Sequence, residues 1–315
     1  MEPIIKVSNL VKHYKKADKN AVDDISFEIA QGEFFAFLGP NGAGKTTTIS
    51  ILTTTLSKSS GDVTIAGFDI DREASRVRRN VGIIFQNPSL DLNLTAEENI
   101  RFHAILYGVY PFAPVYSLMS QKYKDQVKEL AEIVGIQDQL FKPVKTLSGG
   151  MKRKMEIIRS LMHKPKVLFL DEPTSGLDPL SRKTLWEYLR KIREEEKITI
   201  FLTTHYLEEA EEADHVCIIN NGKLVVEGTP LQIKQKLVQE YLLVEAKSRE
   251  KLSAELRKNK LKFIEINGKL KIDLKGKNPQ KVIQAIKTPL TYLDVHNPSL
   301  EDAYLEIIGQ NNAGI

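Results

Sequence analysis

The sequence predicts an α/β protein, a largely parallel sheet covered by helices, followed by a small α+β domain. Three observations predict it. Apolar runs such as FFAFL, VGIIF, VLFLD and ITIFL alternate with helical patterns such as RKTLWEYLRKIREEE. Strands buried on both faces read this way, and the helices between them are their crossovers. A glycine-rich turn, GPNGAGK, stands between one such strand and a helical stretch. Beyond about residue 235 the pattern becomes β-α-β-β-α-β, the order of a ferredoxin-like domain.

In chain order, IIKVSNLVKHY and AVDDISFEIAQGEFFAFLG read as strands, β-branched and aromatic runs broken by Asn and Gly. TTTISILTTTL reads as a helix despite its threonines, because the loop before it demands one. DVTIAGFDI and NVGIIFQNP return to strands. From Thr95 to about Leu140 the chain reads helical, and Thr95 with Glu98 is a capping-box pattern. YGVYPFAPVYSLM interrupts it with one Gly and two Pro among aromatics.

KTLSGGMKRKMEII then starts a further helix. Its first turn carries Lys152, Arg153 and Lys154 at the end that the macrodipole already makes positive, so either solvent tolerates the arrangement or an anion sits there. Three successive positions cannot all face one phosphate, so at most one of these cations meets it and the others face solvent or acidic surface. KVLFLDEP, KITIFLTTH and HVCIINNGKLVVEG supply more strands. In the tail, YLLVEA, REKLSAELRKN, KFIEI, KLKIDL, PQKVIQAI and TYLDVH follow one another. Asn267-Gly268 is a hairpin signal, and PSLEDAYLEII reads as a closing helix. The expected domains are 1–235, with a helical subdomain at about 95–165, and 236–315.

With 42% hydrophobic and 27% charged residues in 315, the chain suits one large folded domain plus a small one. The single cysteine, Cys217, excludes an intramolecular disulfide and fits a reducing compartment. No apolar run approaches the ~18–20 residues of a membrane span. The N-terminus lacks the order of a signal peptide. A cytoplasmic chain is expected, with any membrane role supplied by a partner. Residues 241–315 hold 13 Lys and Arg against 9 Asp and Glu, which accounts for the whole net charge of +4. So small an excess reads as solvated surface, and no nucleic-acid partner is expected.

The chemistry lies at strand ends. Gly39-x-x-x-x-Gly44-Lys45-Thr46 follows a strand and opens a helix, the context of a P-loop NTPase. The loop Gly39, Pro40, Asn41, Gly42, Ala43, Gly44, Lys45, Thr46 and Thr47 offers backbone amides to phosphate oxygens. Lys45 can reach the β- and γ-phosphates of ATP, and the Thr46 hydroxyl can ligate Mg²⁺. Val167 to Leu170 deliver Asp171 and Glu172 at a strand's carboxyl end, where ligands of open α/β sheets bind. Asp171 would hold Mg²⁺, and Glu172, on the strand's other side, is free to deprotonate a water. His205 and Gln86 also end apolar strands. Alone, each would read as a structural or turn residue. Beside a phosphate loop, His205 suggests contact with the γ-phosphate, and Gln86 a role sensing Mg²⁺ or water.

Five elements stand in one order: GPNGAGKTT, Gln86 after its strand, LSGGM, LFLDEP with SGLDP, and TTH. Over roughly residues 4–232 the chain closely resembles the ATP-binding subunits of ABC transporters. The resemblance implies a RecA-like core with antiparallel β and helical subdomains. It implies that Tyr14 stacks on adenine, Gln86 couples nucleotide to a transmembrane partner, Glu172 is the catalytic base and His205 contacts the γ-phosphate. Ser148, Gly149 and Gly150 would close on the ATP held by a second copy, or by a paralogous ATPase subunit, with Asp178 at the dimer contact.

LSGGM, THYLEEAEEAD and NPSLEDAYLEIIG look like the daunorubicin-resistance type of drug and antibiotic exporter, which pairs with a separate membrane permease at the inner face of the cell membrane. Met151 replaces the commoner Gln, which removes one polar contact. The aromatics of 109–124 fit either a permease-facing surface or a packed segment. Soluble relatives acting on nucleic acid or ribosomes carry two ATPase units or a long coiled coil. This chain has one P-loop and no heptad run. Importer subunits share all five motifs.

Overall fold

The computed structural model describes residues 2–86, 89–237, 240–266, 268–274, 277–296 and 299–304. Asn87-Pro88, Asn267 of the expected hairpin and the closing helix beyond Tyr304 lie outside these residues. Two compact units divide the chain, Met1–Glu227 and Gly228–Ile315. Sequence pattern placed the division after 235, but the short helix at 230–237 falls with the second unit.

Alternation decides the first sheet. In β1 (Ile5–Lys12) and β2 (Val22–Ile29) buried and wet residues alternate, as a sheet with one solvated face requires. With β4 (Ser60–Ile65) and β5 (Phe68–Asp69) they form an antiparallel sheet in the order β2-β1-β4-β5. By contrast β3 (Phe34–Leu38), β7 (Val167–Asp171) and β8 (Thr199–Thr204) are buried at every position. They lie inside a six-stranded sheet, β10-β9-β3-β8-β7-β6, whose pairs from β9 to β6 run parallel. Here β6 is Val81–Ile84, β9 is His215–Asn220 and β10 is Lys223–Gly228. Asn221 and Gly222, both at positive φ, turn β9 into β10.

Five phenylalanines join the two sheets. Phe27 of β2 stacks on Phe35 of β3 at 5.4 Å, Phe35 and Phe37 pack on Phe201 of β8, and Phe201 lies 5.3 Å from Phe169. Each buried ring of this kind contributes roughly 2–3 kcal/mol by area alone. Cys217, in the same core, is sealed from solvent, and burial pushes its thiol pKa up.

Helix α1 (Lys45–Leu52) is shorter than expected. Thr53 turns its hydroxyl back to the Ile49 carbonyl at 2.8 Å and Thr54 enters positive φ, so TTTL leaves the helix. Helix α2 (Ala74–Asn80), which carries one buried residue, Val77, was not anticipated. The helical region holds α3 (Ala96–Leu106), α4 (Gln121–Val134) and α5 (Gly149–Leu161). Thr95 and Glu98 form the reciprocal capping box. The aromatic segment 109–124 is mixed: Tyr110 and, inside α4, Tyr123 are buried, whereas Phe112 is 71% and Leu118 68% exposed. Buried Glu97 accepts from Tyr123 at 2.9 Å and pairs with Arg101, which fixes the segment to α3. Helix α6 (Pro179–Glu196) begins at the cap Asp178, and α7 (Leu207–Ala210) follows β8.

Helix α5 lies along the edge strand β6. Three alternate carbonyls, Val81, Ile83 and Phe85, bond to His163 just past the end of α5 and to Ser160 and Arg153 within it. These residues recur at helical spacing on one face. They do for the strand edge what a further strand would do. Gly82 makes the approach possible, because a Cβ there would sit 2.9 Å from the Ser160 carbonyl oxygen.

The second unit opens with α8 (Pro230–Leu237). Then come β11 (Tyr241–Ala246), α9 (Arg249–Lys258), β12 (Phe263–Ile266), β13 (Lys269–Asp273), α10 (Pro279–Gln284) and β14 (Leu290–His296). The sheet order is β12-β13-β11-β14, with every pair antiparallel, which is the ferredoxin-like arrangement. Leu242, Val244, Leu252, Leu256, Leu270 and Ile272 form its core.

Candidate functional site

Sheet order brings the predicted residues together. The carboxyl ends of β3, β8, β7 and β6 are neighbours, so Gly39, His205, Asp171 with Glu172, and Gln86 leave the sheet on one side. An open cleft of about 360 Å³ lies there, lined by the loop from Pro40 to Thr47 together with Gln86 and Glu172.

The loop's conformation depends on glycine at one position above all. Gly44, the cap of α1, has φ 113°, and a Cβ there would meet the Ala21 carbonyl oxygen at 2.4 Å. Lys45 is buried, and its Nζ donates to the carbonyls of Gly39 at 2.6 Å and Pro40 at 3.1 Å. Burial draws its pKa below the usual lysine value, against the opposing pull of Glu172 and Asp171. An ammonium so placed, beside the loop at a helix N-terminus, attracts an anion.

Asp171 is 4% exposed; burial pushes its carboxyl pKa up, and a hydrogen bond from the Thr203 hydroxyl at 2.5 Å works the other way. The backbone of Glu172 has φ 47° and donates to the Thr203 carbonyl at 3.0 Å. That turn swings its carboxylate towards the cleft. There Oε2 accepts from Gln86 Nε2 at 2.9 Å, and Oε1 lies 3.3 Å from His205 Nδ1. Tyr14 is 42% exposed at the loop's far end, with its hydroxyl 3.5 Å from Thr47 Oγ1.

The remaining predicted residues stand apart from the cleft. Ser148 caps α5, accepting from the Met151 amide at 3.3 Å, and Gly149 and Gly150 form its first turn. Gly150 packs against Ser181, which Asp178 holds through the Ser181 amide at 2.9 Å. Of the three cations that follow, Arg153 faces neither solvent nor acidic surface. It is buried, paired with Glu156 at 2.9 Å, and donates to the Phe85 and Gln86 carbonyls.

Sequence reasoning missed Thr203 and Glu209. Buried Glu209 accepts from Thr204 Oγ1 at 2.6 Å and from Thr174, joining the turn after β7 to the end of β8. The repeated threonine in TTH was the only available signal.

The ABC transporter family pattern matches residues 22–175. The linearmycin resistance ATP-binding protein LnrL of Bacillus subtilis is 33% identical, over 98% of this chain and 99% of its own length. The bacitracin transport ATP-binding protein BcrA of Bacillus licheniformis is 37% identical, over 77% and 74%. The Nod factor export ATP-binding protein I of Ralstonia nicotianae is 38% identical, over 73% and 68%. Among solved structures, an ATP-binding subunit of an ABC transporter superposes with TM-score 0.64 at 30% identity, covering 74% of this chain and 92% of that one. A dimeric ATP-binding cassette bound to ADP and Pi gives 0.63 at 26% identity, covering 71% and 98%. The chain belongs to the ABC transporter family, as an ATP-binding subunit that hydrolyses ATP and whose class of partner is a membrane permease.

Proposed function

We propose that two copies of this chain, or one copy and a paralogous ATPase subunit, close face to face on two ATP molecules and energise export through a separate permease. One observation carries the reading. Gln86, Glu172 and His205 cluster at the mouth of the phosphate loop, while Ser148, Gly149 and Gly150 line no part of that cleft. A second set of donors outside the cleft suits a phosphate brought by another subunit.

In this reading the amides from Gly39 to Thr47 and the Lys45 ammonium hold the phosphates, and Tyr14 stacks on adenine. Thr46, Asp171 and the side-chain oxygen of Gln86 are hard donors that suit Mg²⁺, an ion usually held by one or two carboxylates and the substrate's phosphates. Bound there, the ion would neutralise charge on the transferring phosphoryl group. Glu172 takes the proton of the attacking water, and His205 contacts the γ-phosphate. Ser148 and the amides of Gly149 and Gly150 bind the partner's ATP, with Asp178 at the contact. The names of relatives, which speak of linearmycin resistance, bacitracin transport and Nod factor export, support an exporter. Through the permease the chain would sit at the cytoplasmic face of the membrane.

Glu172→Gln tests the reading. It should keep ATP binding, stop hydrolysis and accumulate ATP-bound dimers on size-exclusion chromatography with light scattering. Adding Ser148→Arg should abolish those dimers without loss of ATP binding. Hydrolysis at the wild-type rate by Glu172→Gln removes the base assignment, and dimers that survive Ser148→Arg remove the shared site.

A further inference from the structure

The segment that carries Gln86 is gripped on both sides of 87–88 by the helix that begins at Ser148. Arg153 Nη1 donates to the Phe85 carbonyl at 2.6 Å, and Nη2 to the Gln86 carbonyl at 3.1 Å. The same guanidinium pairs with Glu156, whose side chain is wholly buried. On the far side, Glu156 Oε1 accepts from the Ser89 amide at 3.0 Å. Arg159 donates to the Ser89 carbonyl at 2.5 Å and to its hydroxyl at 2.7 Å. Gln86 then passes the restraint on, because its amide reaches Glu172 Oε2 at 2.9 Å.

A buried charge network is a poor way to gain stability, since desolvation of each ion offsets most of the attraction. It is a good way to impose one geometry, because a planar fork that satisfies two successive carbonyls admits little variation. The cations gain nothing from this helix end, which the dipole already makes positive. Placing one of them indoors, on the backbone of Gln86, serves orientation instead.

We propose that Arg153, backed by Glu156, is a positioning residue. It holds the Gln86 carbonyl so that the Gln86 amide is aimed at Glu172, and it thereby ties the helix bearing Ser148–Gly150 to the catalytic carboxylate of its own subunit. The proposal rests on the reading of Glu172 and Ser148–Gly150 given above. It adds a route: a phosphate arriving at the start of α5 shifts a helix whose second turn grips the Gln86 backbone. The coupling element is then one helix and three side chains, not a diffuse rearrangement.

A double-mutant cycle on the full chain tests it, with ATPase rate read against ATP concentration. Arg153→Lys keeps a charge for Glu156 but loses the fork. It should lower kcat about tenfold while KM stays within about twofold, the split expected of lost aim rather than lost nucleotide binding. In a Gln86→Ala background, the same substitution should change kcat by less than about twofold, because the group through which it acts is gone. Losses that multiply across the cycle overturn the proposal, as does a folded Arg153→Lys chain with wild-type kcat. Should that chain fail to fold, Glu156→Gln, nearly isosteric, takes its place in the cycle with the same two outcomes. A wild-type chain that hydrolyses no ATP overturns the parent reading and this one together; an active wild type with multiplying losses overturns this one alone.

Discussion

Replacing Gly149 with alanine separates what the fold needs from what a shared site needs. Gly149 opens α5 behind the Ser148 cap, and a methyl group built on it meets nothing within 4 Å. Alanine is the better helix former by about 1 kcal/mol in a helix interior, and by less at a first position. Gly149→Ala should therefore leave the isolated chain as stable as before, or more stable by roughly 0.5 kcal/mol. Gly150 provides the contrast. There the added carbon would lie 2.8 Å from Ser181 Oγ, itself bonded to Asp178 at 2.5 Å, so Gly150→Ala must displace a held hydroxyl and destabilise. The open space over Gly149 is where the partner's γ-phosphate would arrive. A methyl group there keeps phosphate from the amide, and a hydrogen bond to a charged group contributes roughly 1.5–3 kcal/mol. Lost in the transition state, that is roughly a 10- to 150-fold fall in turnover. The assay pairs urea unfolding with steady-state ATPase rates on the same preparation. A stably folded Gly149→Ala chain turning over within about twofold of wild type would refute the assignment of these amides to a phosphate.

Tyr14→Ala should weaken ATP binding by roughly 5- to 150-fold, since stacking of a base on an aromatic ring is worth about 1–3 kcal/mol, while Tyr14→Phe keeps the ring and most of the affinity. Isothermal titration on the monomeric chain distinguishes the two, and equal affinity for both variants would remove the adenine assignment. A second expectation concerns pH. His215 lies 3.4 Å from Glu33 and 3.6 Å from Glu227. Its pKa is raised above 6.5 chiefly by the hydrogen bond to Glu33, with burial opposing. A group raised on folding stabilises below its unfolded value and loses that stabilisation as pH climbs through its folded value. The chain should lose up to about 1 kcal/mol on going upward from near neutrality. His215→Gln should flatten that slope in thermal melts taken between about pH 6 and 8.5, and an unchanged slope would exclude His215 as its source.

What could be read without coordinates was local in the chain. The phosphate loop, the acidic pair after VLFL and the Thr95–Glu98 box each depend on neighbours a few residues away. Their geometry follows from backbone rules that hold in any context. Arg153 was not readable, because Lys152, Arg153 and Lys154 look alike until the edge strand β6 decides which face of α5 turns inward. Helix α2 escaped for a related reason. Only Val77 of its seven residues is buried, so it carries no periodic signal. The aromatics near Tyr110 split between core and surface according to where Arg101 and Tyr123 sit, and sequence spacing does not encode that. Glu209, too, takes its meaning only from the two threonines that fold beside it.

The φ of 47° at Glu172 has a consequence for anyone who evolves this protein in the laboratory. A side chain in that backbone region costs about 1–2 kcal/mol, which glycine avoids and asparagine partly avoids. A library sorted for heat survival alone would drift towards those residues at 172 and collect inert, sturdy variants. A library sorted for turnover would keep the carboxylate and the weaker fold that comes with it. The two screens would diverge at this one codon, and sequencing it would reveal which pressure a population had experienced.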